Sequence, residues 1–204
     1  MLELRNLCRY FGGLKAVQDI NVEIEANRIT ALIGPNGAGK TTVFNVITGL
    51  FPATSGSVLF QNRNITGYKP HQIASLGISR TFQNIRIFPN MTVLENVMVG
   101  IHTRSSREFF STALRLPGMR DEEKRMRESA LEALEFTGLK EYASYGAAGI
   151  PFGLQRILEI ARALASQPQL LLLDEPAAGL NTQETLLLGN LICRILEKGL
   201  TVFI

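Results

Sequence analysis

The chain has 204 residues, 46% of them hydrophobic and 19% charged, with a formal net charge of +3. That balance suits one globular domain, or one domain carrying an inserted subdomain, and with no long Lys/Arg block it gives no ground for a nucleic-acid partner. No stretch reaches the roughly 18 uninterrupted apolar residues of a membrane span, and the N-terminus lacks the basic-then-apolar order of a signal peptide, so the chain reads as cytosolic.

Strand-like alternation fills Leu2 to Cys8 and Ile20 to Ala26, with Gly12-Gly13 as a turn between them, which predicts an antiparallel edge leading into the core. The apolar run Ile29 to Ile33 reads as a buried strand. It runs straight into Gly34-Pro35-Asn36-Gly37-Ala38-Gly39-Lys40-Thr41, which fits the pattern G-x-x-x-x-G-K-[ST] without a deviation. This segment predicts binding of a nucleoside triphosphate. Its glycines let backbone N–H groups close around phosphates, Lys40 reaches the outer two, and the Thr41 hydroxyl is placed for Mg²⁺. The helix that starts at Lys40 adds its positive N-terminal dipole at the same spot.

Thr42 to Leu50 has helical character and stops at Gly49, with Pro52 just beyond. Ser57 to Phe60 and Ile78 to Phe82 read as strands. From Asn84 to Ile150 the texture becomes helical, at Met91 to His102 and at the charge-rich Asp121 to Phe136. Pro151 and Gly153 break the pattern, and Leu154 to Ala165 is an amphipathic helix. Leu170 to Leu173 then suits a buried parallel strand with Asp174-Glu175-Pro176 at its carboxyl end. Residues 182–197 form the last helix, and Leu200 to Ile204 begin a strand. The expected division is therefore 1–83 and 151–204 as a binding core, the second part incomplete at its C-terminal end, with 84–150 as a helical insertion. Cys8 and Cys193 have no metal spacing and sit in apolar periodic segments, which predicts reduced core thiols.

Asp174 and Glu175 supply what the glycine-rich loop lacks. A carboxylate after a buried strand can hold Mg²⁺ through water opposite the Thr41 hydroxyl, and a second one beside it can polarise an attacking water. Phosphoryl transfer needs mostly positioning and charge neutralisation, so this small set suffices in kind.

The order of Gly34 to Thr41, Thr81-Phe82-Gln83-Asn84, Gly153-Leu154-Gln155-Arg156 opening the helix with Leu158 to Leu164, and Leu170 to Pro176 resembles, over the whole chain, the nucleotide-binding subunit of an ABC transporter. Within that family, Phe11 to Val17, Arg80-Thr81-Phe82-Gln83, Leu94 to Gly100 and Ala177-Ala178-Gly179-Leu180-Asn181 are most similar to the ATPase subunit of branched-chain amino acid importers. The resemblance implies an α/β fold, a P-loop ABC-type ATPase core with an antiparallel β edge and an inserted helical subdomain. It implies ATP hydrolysis with Mg²⁺, a second ATP-binding subunit, transmembrane permease subunits, and a peripheral place on the cytoplasmic face of the cell membrane.

Residue by residue, the resemblance implies that Phe11 stacks on adenine, where a π-face is a reasonable platform, with Tyr10 as a rival. ATP is expected against Gly34, Pro35, Asn36, Gly37, Ala38, Gly39, Lys40, Thr41 and Thr42, and against Gly153 and Gln155 of the partner. Lys40, Gln83 and Glu175 would carry catalysis, with Glu175 as base, and Thr41, Gln83 and Asp174 would serve the metal. Gly179, Leu180 and Asn181 match the loop that crosses to the partner cassette, Asn181 standing where many relatives carry Asp.

Two departures follow. Where relatives write Leu-Ser-Gly-Gly-Gln, this chain has Ile150-Pro151-Phe152-Gly153-Leu154, with Gln155 one place further on. Pro151 offers neither hydroxyl nor N–H to a partner's γ-phosphate, while Gly153 and the helix N-terminus still offer backbone donors. The histidine that relatives place after the strand starting at Thr201 would fall beyond Ile204, which predicts a C-terminally truncated piece. His71 and His102 read as surface or satisfied histidines. The alternative function is a nucleotide-binding module without turnover, truncated or regulatory.

Overall fold

A computed structural model describes residues 1–102 and 119–204. In chain order the strands are β1 (Leu2–Phe11), β2 (Leu14–Ile24), β3 (Ile29–Thr30), β4 (Ser55–Phe60), β5 (Arg63–Asn64), β6 (Ile78–Thr81), β7 (Leu170–Leu173) and β8 (Thr201–Phe203). The α-helices are α1 (Lys40–Ile47), α2 (Pro70–Ser75), α3 (Val93–His102), α4 (Met119–Thr137), α5 (Phe152–Ala165) and α6 (Thr182–Glu197). The described chain separates into two compact units, one of Met1–Arg80, Gln169–Asp174 and Arg194–Ile204, the other of Thr81–Pro168 and Glu175–Cys193.

The first unit holds two sheets. In the antiparallel one, ordered β2-β1-β4-β5, Leu2 faces Ile24 on one side and Phe60 on the other. The pairing of β1 shifts between Leu4 and Leu7, where Asn6 adopts φ 46. The extra residue returns Leu7 to the buried face used by Leu2 and Leu4, as a bulge does. The second sheet, ordered β3-β8-β7-β6, is parallel where β7 meets β8, Leu171 lying opposite Val202. All four leucines of β7 are fully buried, as a strand covered on both faces requires. Against it pack Val43, Phe44 and Ile47 of α1, and the Phe44 and Phe203 rings stack with centroids 4.9 Å apart. The expected α/β fold with an antiparallel edge is thus present.

The second unit is built on α3, α4 and α5. Val93 and Val97 of α3, Ala130 and Leu134 of α4, and Leu158, Ala161 and Ala165 of α5 make one core. Their three- and four-residue spacings put them on single helix faces. The helical unit is wider than the 84–150 insertion expected from sequence, because α5 turns its apolar face to α3 and α4 and residues 175–193 group with them. Residues 103–118 of that insertion, and the side chain of His102, lie outside the described residues.

Two expectations are corrected. The run Ile29 to Ile33 is not a buried strand: regular strand is confined to Ile29–Thr30, although the Leu32 N–H still donates to the Ile204 carbonyl at 2.7 Å, and Ile29 is 39% exposed and Ile33 90% exposed. Among the described residues β3 has a neighbour, β8, on one side alone, and after Leu32 the chain leaves the ladder for the glycine-rich loop. Cys8 is buried as expected, but Cys193 is exposed. The buried stripe of α6 is Leu188, Leu191, Ile192 and Ile195, and Cys193 falls on the opposite face, two turns on from the exposed Leu186.

Candidate functional site

In the first unit, the glycine-rich loop that opens at Gly34 ends at Gly39, which caps α1 at φ 87. A Cβ there would also run into the Ala16 carbonyl oxygen, so both backbone angle and space demand glycine. The ammonium of Lys40 donates to the carbonyl oxygens of Gly34 at 2.8 Å and Pro35 at 3.0 Å. One residue into α1, the Thr41 hydroxyl donates to Asp174 Oδ1 at 3.2 Å, across 133 positions of sequence. Asp174 is 1% exposed and follows directly on β7. Its other oxygen, Oδ2, accepts from Arg80 Nη2 at 2.8 Å.

Phe11 ends β1 and is 39% exposed. Its ring meets Phe51 edge-on at 5.3 Å, and the Arg9 guanidinium lies 4.4 Å from its centroid. A partly exposed ring steadied by a cation and a second ring is a suitable surface for a base.

In the second unit, Gln83 Nε2 donates to Glu175 Oε2 at 2.7 Å. Glu175 adopts φ 48, a left-handed conformation that non-glycine residues rarely take and that recurs at working sites. The backbone carrying Gln83 is held from α5: Arg156 donates to the carbonyls of Phe82 at 2.8 Å and Gln83 at 2.7 Å, and Glu159 Oε1 accepts from the Arg86 N–H at 2.7 Å. Arg156 and Glu159 also pair with each other at 3.0 Å, both side chains 1% exposed. Burial pushes the Glu159 carboxyl above the usual range, against the Arg86 N–H and the charges of Arg156 and Arg162.

At the start of α5, Pro151 occupies the cap position and Phe152 is 49% exposed with its ring near Gly179. Gly153 is buried against the Glu184 carboxylate, and Gln155 Nε2 donates to the Ile150 carbonyl at 2.9 Å. Asn181 caps α6 reciprocally: its Oδ1 accepts from the Glu184 N–H at 2.9 Å while Glu184 Oε2 accepts from the Asn181 N–H at 2.9 Å.

Of the residues singled out from sequence, the structure brings Thr41 and Asp174 together in one unit and Gln83 and Glu175 in the other. His71 is exposed. Arg80, Arg156 and Glu159 were given no role by the sequence reading. The signal for Arg80 is a permanent charge inside a short strand; for Arg156 and Glu159 it is an i,i+3 pair of opposite charges on the face of an apolar helix.

The ABC transporter family pattern matches residues 17–178. Over 195 residues the chain is 44% identical to the high-affinity branched-chain amino acid transport ATP-binding protein LivG of Escherichia coli (strain K12), a match covering 96% of this chain and 76% of that protein. Among solved structures, it is similar to the ADP conformation of an ATP-binding cassette of an ABC transporter, with TM-score 0.84 and 31% identity over 99% of this chain and 79% of that one. It is also similar to the dimeric structure of a bacterial ABC transporter cassette, with TM-score 0.82 and 26% identity over 100% of this chain and 86% of that one.

Proposed function

The chain belongs to the ABC transporter family, and on that premise we propose that it binds ATP with Mg²⁺, hydrolyses the ATP, and so powers import of branched-chain amino acids through a membrane permease. The observation that carries this reading is the contact between the Thr41 hydroxyl and the Asp174 carboxylate. A hydroxyl and a carboxylate are hard oxygen donors, the kind of pair that Mg²⁺ takes alongside water and substrate phosphates. When bound, the ion neutralises charge on the outer phosphates of ATP.

The chain's own residues do the rest. Lys40 pairs with phosphate oxygens, and the N–H groups of residues 34–41 and of the first turn of α1 surround them. Glu175 accepts a proton from a water molecule as the water oxygen bonds to the γ-phosphorus and the bond to the bridging oxygen breaks, leaving ADP and inorganic phosphate. Gln83, bonded to Glu175, orients that water. Phe11 stacks on the base.

Two cassettes work together, Gly34 to Thr41 of one facing Gly153 to Gln155 of the other. The likeness to a dimeric bacterial cassette supports this. With Pro151 in the place of a serine, the contact to the partner's phosphate rests on backbone N–H groups at the start of α5. No helix among the described residues is long and apolar enough to cross a membrane. In this reading the permease supplies the path and the subunit sits as a peripheral partner at the cytoplasmic face, which the likeness to a branched-chain amino acid transport ATP-binding protein supports.

In the protein assembled with its permease, Glu175→Gln is expected to keep ATP binding and lose most hydrolysis, because the amide cannot take the proton. Wild-type turnover in that variant would remove Glu175 from the chemistry. ATP binding with no hydrolysis by the unaltered assembly would favour a nucleotide-binding module without turnover.

A further inference from the structure

We propose that Arg80 is a positioning residue for the metal-binding carboxylate, dividing the two oxygens of Asp174 so that Oδ2 is locked to the protein and Oδ1 is presented beside the Thr41 hydroxyl. The inference rests on the ATP·Mg²⁺ reading of that site and adds to it a residue with no assigned role.

The geometry is specific. Arg80 lies in β6, its side chain 5% exposed, against an Asp174 side chain 2% exposed. Nη2 donates to Asp174 Oδ2 at 2.8 Å. Nη1 donates to Asn45 Oδ1 at 2.7 Å and to Thr48 Oγ at 3.2 Å, the first on α1 and the second at its C-terminal end. The guanidinium carbon also sits 5.6 Å from the centroid of the Phe44 ring. A single planar group thus ties the strand end that carries Asp174 to the helix that carries Thr41.

Two consequences follow. A carboxylate terminus rotates broadly unless something holds it, and an arginine fork held at its other nitrogen is a rigid hold. Arg80 therefore determines which oxygen faces Thr41, and the 3.2 Å contact of Thr41 with Oδ1 is the result. Its fixed positive charge also offsets the burial of the carboxylate, which would otherwise be costly. A plain structural counter-ion would do only the second of these. Lysine could offset the charge, but as a point charge on a flexible stem it would not reproduce the two-nitrogen hold.

The test uses the whole chain and reads binding rather than turnover. ATP affinity is measured by titration with a fluorescent ATP analogue, once with Mg²⁺ and once with EDTA, for wild type, Arg80→Met, Arg80→Lys and Asn45→Ala. Thermal melts without nucleotide accompany each. In wild type Mg²⁺ is expected to tighten binding. In Arg80→Met that gain should fall about tenfold, the scale on which partners of metal ligands act, while affinity in EDTA, which reads the glycine-rich loop, stays put. Arg80→Lys and Asn45→Ala should each lose a smaller part of the gain and melt close to wild type, so that a poorly folding Arg80→Met does not decide the matter. A Mg²⁺ gain kept in full by both Arg80→Lys and Asn45→Ala overturns the role of Arg80 alone. Equal losses with and without Mg²⁺ show a merely structural role and overturn it too. If wild type shows no Mg²⁺ gain, the ATP·Mg²⁺ reading falls and takes this inference with it.

Discussion

Removing the Arg156 guanidinium from water costs solvation that its bonds to two backbone carbonyls and to Glu159 offset. Arg156→Met would leave the Glu159 carboxylate buried without its nearest counter-charge, and is expected to destabilise the fold by about 3–5 kcal/mol. Replacing Glu159 by Leu as well should recover part of that loss, since the uncompensated charge goes with it. Urea denaturation of the single and double variants measures both; an Arg156→Met loss within the error of the method would mean that the pair carries no load. Lys40 belongs at the same scale. Lys40→Ala removes charge-assisted bonds to phosphate and should weaken ATP binding by about 1.5–3 kcal/mol, which calorimetry reads directly, and an unchanged affinity would remove Lys40 from the binding site.

Helix ends show how local sequence becomes local structure. The Thr92 N–H and hydroxyl both donate to Glu95 Oε2, at 2.7 and 2.8 Å, and the Glu95 N–H donates back to the Thr92 hydroxyl at 3.2 Å, a reciprocal cap at the start of α3. Thr92→Ala is expected to cost about 1 kcal/mol by removing one half of it. The Thr92 N–H, then the Thr92 hydroxyl, hold the Glu95 carboxyl below its usual range. A carboxylate whose folded value is depressed contributes stability that is present above its unfolded value and is lost as pH falls through the folded one. Glu95→Ala should therefore melt below wild type at neutral pH and alongside it once the pH is below the carboxylate range. A melting difference that persists unchanged into acid would assign the effect to packing. The buried Asn96 completes this turn by bonding the N–H and carbonyl of Phe88 and so holds the segment before α3.

Over the whole molecule, the groups proposed for one reaction are divided between two compact units. Lys40, Thr41 and Asp174 belong to one, and Gln83, Glu175 and the start of α5 to the other. If two copies enclose the nucleotide as proposed, a variant that binds ATP without consuming it should hold them together. Glu175→Gln with ATP and Mg²⁺ is expected to run as a dimer by light scattering, and Lys40→Ala as a monomer under the same conditions. A monomeric Glu175→Gln protein at saturating ATP would count against a nucleotide held between copies.

How much of this was legible without coordinates follows from the range of the forces involved. The glycine-rich loop, the helix start at Lys40, the leucine strand ending in Asp174 and the amphipathic α5 depend on turn chemistry and periodicity within a few residues, and the amino-acid sequence by itself determined them. Most helix and strand centres were readable for the same reason, but β2 begins at Leu14 rather than Ile20, and the short β5 and α2 were not expected at all. The bond from Arg80 to Asp174 spans 94 positions and that from Arg156 to Gln83 spans 73, so each depends on the path of the chain between. The same holds for the exposure of Ile33 and Cys193, whose apolar or small side chains read as core until the neighbours they lack are known. Only the tertiary structure decided these pairings, because a charge in a strand shows that a partner is needed but the chain's path alone determines which residue meets it.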